Sequence, residues 1–204
     1  MGSDQPAFLP FRRTASIDTV TGRRVRTRNP RDGATAEIRL TDGTPARLRD
    51  LVGTDRQALQ DLYAELSLGS RHNRFQAAAP RRLTEPMLDR LVDDVDQRDH
   101  VAVLLLAPAG RDETPVGVGR MIRYAEDPTT ADIALAVADN WQGRGAGSAL
   151  AHALVARRPV GVVRLVTVVS ADNSASLATL AALGVVDRIA AGGGQYDVTV
   201  TLKA

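Results

Sequence analysis

Six residues in the middle of the chain, QGRGAG (142–147), follow an apolar run, ADIALAVA (131–138), and open onto a helical pattern, SALAHALVARR (148–158). Glycines at 143, 145 and 147 let the backbone turn with positive φ and let a ligand come close to the main chain. Consecutive N–H groups then converge at the positive end of a helix, an arrangement matched to a phosphate or pyrophosphate. Two other phosphate loops fit poorly. A Walker A loop ends in Gly-Lys-Ser/Thr, and the chain's only lysine is Lys203. A dinucleotide fingerprint has the spacing Gly-x-Gly-x-x-Gly near the first strand. This run is Gly-x-Gly-x-Gly and comes late, after a region that reads as antiparallel.

The apolar run before the loop carries the second clue. As a strand it puts Ile133, Leu135 and Val137 on one face and Asp132, Ala134, Ala136 and Ala138 on the other. Three alanines in succession leave a shallow strip. Either a helix packs tightly against it or a slender ligand lies along it. Asp132, at the head of the strip, reads as the cap of a strand end. The three histidines, His72, His100 and His152, read as surface or strand-end residues without metal-ligand spacing, so no metal is expected. With no cysteine, disulfides, thiolate metal sites and cysteine nucleophiles are excluded.

The elements around these residues follow from turn chemistry and periodicity. TDGT (41–44) between AEIRL (36–40) and PARLRDL (45–51) predicts a hairpin. Thr54 to Gln57 predict a capping box, followed by one helical face of Leu59, Leu62, Tyr63 and Leu66. Thr84 and Pro86 open a second helix with the stripe Leu88, Leu91, Val92 and Val95. HVAVLLLA (100–107) and VGVGRMIRY (116–124) read as paired strands joined by a loop, Pro108 to Pro115. VRLVTVV (163–169) reads as another strand. VVDRIA (185–190) and QYDVTVTL (195–202) read as a closing hairpin.

Gln-x-x-Gly-x-Gly between a strand and a helix resembles the acyl-CoA pyrophosphate loop of the GNAT superfamily of acyl-CoA-dependent N-acyltransferases. DNSASLATLAALG (172–184) is similar to that family's second signature, with Leu183 and Gly184 as a helix stop. LTDGT (40–44) and LSLGSRHNRF (66–75) resemble the bacterial protein-lysine acetyltransferase subgroup, with Gly69 where a Glu is common. The resemblance covers roughly residues 36 to 202. It implies an α/β (α+β) fold: a single GNAT-like domain, a mixed, mostly antiparallel twisted sheet with helices on both faces and splayed central strands. It also implies acetyl-CoA as co-substrate, with Gln142, Gly143, Arg144, Gly145, Ala146 and Gly147 at the pyrophosphate. Ala134, Leu135 and Ala136 would pair through their main chain with the pantetheine arm, and Asn173 would contact the arm near the thioester.

The implied reaction is attack of an amine, of a protein lysine or a small molecule, on the thioester. Asp132 stands where the subgroup carries a Glu and is the candidate general base. Leu180 stands where many members carry a Tyr acid. These two departures favour the alternative, an acetyl-CoA-binding regulatory module without turnover, but the resemblance of the glycine loop is the more specific signal and keeps the enzyme as the main reading.

Residues 1–34 hold seven Arg and three Asp and show no sustained period, which predicts a mobile basic arm ahead of a domain spanning 35–204. No aromatic residue is interleaved among its later arginines to stack on bases, so nucleic acid is not the expected partner. The absence of a signal-peptide core and of a membrane-length apolar run leads to a cytoplasmic expectation.

Overall fold

The computed structural model describes residues 35–75 and 80–203. The basic arm, 1–34, lies outside the described residues. Eight strands form one sheet: β1 (Thr35–Arg39), β2 (Pro45–Asp50), β3 (His100–Ala109), β4 (Asp112–Arg123), β5 (Thr130–Val137), β6 (Arg164–Ser170), β7 (Gly184–Gly192) and β8 (Gln195–Leu202). Their order is β1-β2-β3-β4-β5-β6-β8-β7, antiparallel throughout except for the β5–β6 pair. The helices are α1 (Arg56–Ala64), α2 (Leu68–Phe75), α3 (Glu85–Leu88), α4 (Ala146–Ala156) and α5 (Ser174–Leu183). A π-helical turn, Asp89–Asp93, continues α3.

β3 reads as an unbroken apolar run because both of its faces are covered. Val101, Val103 and Leu105 enter the core beneath α4 and α5. Ala102, Leu104 and Leu106 enter a second core with Leu59, Leu62 and Tyr63 of α1 and Met87 and Leu88 of α3. α4 lies tight on β4, where a Cβ at Gly117 or Gly119 would come within 2.9 Å of Leu150 or Leu154.

Two sequence expectations change. The segment Pro108 to Pro115 is not a loop. Both strands continue through it to a two-residue turn, and Ala109 pairs with Asp112. Pro108 lies past the last β2–β3 pair, Arg47 with Leu106, and Pro115 sits at the register shift, so neither ring interrupts a ladder that needs its N–H. The Thr54–Gln57 capping box does not form either. Asp55 does that work: its carboxylate accepts the Val52 N–H at 2.8 Å and both Nη atoms of Arg49 at 2.6 and 2.7 Å.

α5 stops at Leu183 with Gly184 as its C-cap, where the sequence placed the stop, and Gly184 takes an extended backbone (φ 177°). Glycine is required there because an added Cβ would run into the Thr201 carbonyl of β8. Gly184→Ala is therefore expected to cost about 3 kcal/mol by forcing β7 from β8. A urea midpoint unchanged from wild type would contradict this account.

Candidate functional site

β5 and β6 pair only from Thr130–Arg164 to Asp132–Val166. Beyond that pair they separate, while β5 remains bonded to β4 as far as Val137. The wedge between them is a cavity of about 600 Å³, walled by Ile133 to Val137 on one side and Thr167 to Ser170 on the other. β5 thus presents a strand edge without a strand partner along the half that faces this space, as the splayed central strands of the sequence expectation require.

The loop after β5 is built by local conformation. A short 3₁₀ turn, Asp139–Trp141, leads to an extended Gln142, and Gly143 and Gly145 both take positive φ, 74° and 84°. Gly145 is the N-cap of α4 in the left-handed region. Its Cα also faces the β1–β2 turn, where a Cβ would meet Thr41 Cγ2 at 2.7 Å. Thr41 N–H donates to the Arg144 carbonyl at 2.9 Å, so the hairpin braces the loop.

Most of the residues expected from the sequence come together here. Asp132, Ala134, Leu135 and Ala136 line the cavity along β5, and Gln142, Gly143, Gly145, Ala146 and Gly147 line its far end. Asn173 lines it too, while its Oδ1 caps α5 by accepting the Ser176 N–H at 3.0 Å. Arg144 is outside the lining. Its guanidinium stacks 4.8 Å from the Trp141 ring centroid and lies 3.6 Å from Asp42. The Gln142 side chain is occupied in pinning the loop, donating at 3.2 Å to Ser70 Oγ, the Val137 carbonyl and Asp139.

α2 crosses the wedge as a strap. Ser70 Oγ donates to Asp139 in the 3₁₀ turn just past β5 (2.7 Å), and Asn73 Oδ1 accepts from Ser170 Oγ at the end of β6 (3.1 Å). The strap also carries Arg74 into the cavity wall.

Asp132 sits at the apex of the wedge with its carboxylate open to the cavity. Burial pushes its carboxyl up to about 6, against the pull of Arg74 and Arg120. Arg120, on the adjacent strand β4, is 5% exposed. Its Nη2 donates to the Leu91 carbonyl at 2.9 Å, and its Nη1 lies 3.0 Å from His100 Nε2. Burial and the Arg120 charge push His100 down to about 4. The ring is therefore neutral, and the hydrogen bond it gives the Asp94 carbonyl leaves Nε2 as the acceptor for Arg120. Arg120 itself is pulled down to about 9 by burial and then by the like charge of Arg74, and remains cationic at neutral pH.

Sequence reasoning missed Arg74, Arg120 and the role of His100. His100 does begin a strand, but it is buried rather than superficial. One signal was available: Arg120 alternates with Val118 and Ile122 on a strand face that is otherwise apolar. Leu180, expected at the tyrosine position, is buried and lines the cavity. None of the chain's three tyrosines does so. Among the described residues no group of His, Asp and Glu has metal-site geometry, and no helix is long and apolar enough to cross a membrane.

The family model of the acetyltransferase (GNAT) family matches residues 59–185, more than half of the chain. The chain belongs to the GNAT family. It is 32% identical over 150 residues to Acetyltransferase Pat of Mycolicibacterium smegmatis, a match that takes in 73% of this chain and 44% of that protein. The chain thus spans less than half the length of this curated relative. The GNAT domain of S. lividans PAT superposes with a TM-score of 0.71 at 25% identity, over 82% of this chain and 97% of that one. A Salmonella typhimurium protein, yncA, solved with its cofactor acetyl-CoA, shares the fold at 16% identity and a TM-score of 0.54, over 78% of this chain and 94% of that one. The two stretches that resemble the GNAT loop and second signature therefore sit in a GNAT fold, and both line the wedge.

Proposed function

We propose that this GNAT domain transfers the acetyl group of acetyl-CoA directly to an amine, the side-chain amine of a protein lysine, with Asp132 as general base. The observation that carries the proposal is the end of β5–β6 pairing at Asp132, which opens a cleft from that carboxylate to the glycine loop.

Each part of the cleft suits one part of the donor. The amides from Gly143 to Gly147, at the positive end of α4, suit the pyrophosphate. The free edge of β5 at Ala134, Leu135 and Ala136 suits the amide-bearing pantetheine arm, as an added strand would. Asn173, held by its own cap bond, is a rigid polar group on the opposite wall. The pyrophosphate is served by main chain, since Gln142 and Arg144 spend their side chains on bracing.

A lysine amine has a reference pKa of about 10.4 and must lose a proton before it attacks the thioester carbon. Asp132 ionises near pH 6, so at neutral pH it is available as a carboxylate, and a more basic one than an exposed aspartate. The attack forms the amide C–N bond and breaks the C–S bond. The departing thiolate, with a reference thiol pKa of about 8.5, is a stable enough leaving group to go without a strong acid at the Leu180 position. The expected setting is the cytoplasm, where acetyl-CoA and protein lysines meet.

A second reading keeps the donor site and drops the chemistry: an acetyl-CoA-binding regulatory module. The absence of any tyrosine from the cavity lining favours it. Calorimetric titration with acetyl-CoA, followed by mass spectrometry of lysine-bearing proteins incubated with both, separates the two. The enzyme gives binding and acetyl-lysine that Asp132→Asn abolishes, and the regulatory module gives binding alone. No binding of acetyl-CoA would overturn both.

A further inference from the structure

Arg120 is held beside the candidate base without a hydrogen bond to it. In the β3–β4–β5 ladder His100 pairs with Ile122 and Ile122 with Asp132, so these three side chains form one row on the α1–α3 face of the sheet. Ala102, Arg120 and Ala134 form the next row on the same face. The alanines on either side leave the long arginine side chain room to reach towards the first row. Its guanidinium spends its hydrogen bonds on neutral partners, His100 Nε2 at 3.0 Å and the Leu91 carbonyl at 2.9 Å. His100 is itself buried and bonded to the Asp94 main chain, so the mount is fixed.

A buried guanidinium is costly, because its charge is taken out of water. Packing alone is served by an apolar residue, as Val118, two residues earlier on the same face, shows. An arginine bonded directly to Asp132 would be a poor device for a base: it lowers the carboxyl strongly and occupies its oxygens. With no cation near, burial alone would drive the carboxyl higher and leave it protonated at neutral pH. Arg120, one row away, lies between these extremes. Its charge still acts on Asp132, while both side chains line the cavity. The other elements packed here bring few charges. α2 brings the partly buried Arg74, which also acts on Asp132, and the facing residue of β6 is Val166. The turn after α3 brings the exposed Arg90 to the cavity lining, and Asp96 acts on the His100 ring from behind.

We propose that Arg120 is a positioning residue for the base: fixed by His100 and the Leu91 carbonyl, it holds a positive charge close enough to keep Asp132 ionised without bonding to it. The inference rests on the acyltransferase reading, in which Asp132 takes the amine's proton, and adds the two side chains that set when it can do so.

The test follows two readouts in parallel. One is the acidic limb of kcat/KM against pH. The other needs no turnover: the NMR titration of the Asp132 carboxyl carbon, assigned by its loss in Asp132→Asn. Arg120→Met removes the charge and is expected to move both upward by roughly half a unit to one unit. His100→Leu leaves the arginine but removes its mount, so the guanidinium is free to swing onto Asp132 and both readouts are expected to move downward. His100→Gln keeps a neutral acceptor and is expected to stay nearest wild type. A purely structural role would lower the urea midpoint of these variants and move neither readout. An unmoved or lowered midpoint of titration in Arg120→Met would overturn the proposal, as would a His100→Leu titration that does not fall. If Arg120→Met does not fold, the His100 variants decide by themselves. Failure of the acyltransferase reading shows separately, as no acceptor-dependent turnover in wild type, and the carboxyl titration then still decides the role of Arg120.

Discussion

Asp132→Asn is expected to lower acceptor-dependent turnover by about 10²–10⁴-fold, the usual contribution of a positioned base, while acetyl-CoA still binds. The isosteric amide keeps the strand and the cleft and removes only the proton acceptor. The pH profile gives a second readout. A base whose carboxyl is pushed up to about 6 makes wild-type kcat/KM rise through that pH and level off above it. In the Asn variant that limb should vanish.

The same shift has a stability consequence of opposite sign. The ordinary value of 3.8 is raised to about 6 in the folded protein. Between those values the folded state binds more protons than the unfolded chain, so stability falls as pH rises through this window. Above it the ionised Asp132 costs the fold on the order of 3 kcal/mol at most. Asp132→Asn should therefore be more stable than wild type at neutral pH and lose that advantage at a pH near or below 3.8. A Tm no higher than wild type at neutral pH would contradict the raised carboxyl on which the catalytic assignment depends.

Gly145→Ala is expected to weaken acetyl-CoA binding by about tenfold or more, through two separable costs. A non-glycine residue at φ 84° carries strain of about 1–2 kcal/mol. Its Cβ would also come within 2.7 Å of Thr41 Cγ2, pushing the loop from the hairpin that braces it. Thr41→Ala in the same protein removes the second cost and leaves the first, so the double variant should recover part of the affinity. Equal affinities for the single and double variants would show that the hairpin does not set the loop's position. Calorimetric Kd values for the three proteins decide the point.

What the sequence disclosed and what it hid have a common physical basis. The glycine loop, the Asp132–Ala138 strip and the Asn173 cap are local features: spacing along one strand or one helix start is enough to see them. The hairpin at Asp42-Gly43 and the alternation of β8 were legible for the same reason. The strap, by contrast, depends on α2 lying across two strands that separate, and nothing in Ser70 or Asn73 names Asp139 or Ser170 as a partner. Arg120 and His100 are twenty residues apart and meet only because β3 and β4 pair in one register, which puts His100 opposite Ile122. The two prolines misled because ring and missing N–H argue against a strand interior. Here the ladder does not need those N–H groups. Gly184 was legible as the stop of α5, but the need for glycine there comes from a strand packed against its Cα, which only the fold shows.

The central claim is that acetyl-CoA in this cleft is a donor and not only a ligand. Release of CoA thiol from acetyl-CoA, followed with a thiol reagent in the presence and absence of lysine-bearing proteins and lysine peptides, tests it most directly. The account predicts release that depends on the acceptor, saturates with acetyl-CoA and is lost in Asp132→Asn. Tight acetyl-CoA binding with release at the same background rate for wild type and Asp132→Asn, whatever acceptor is added, would contradict it.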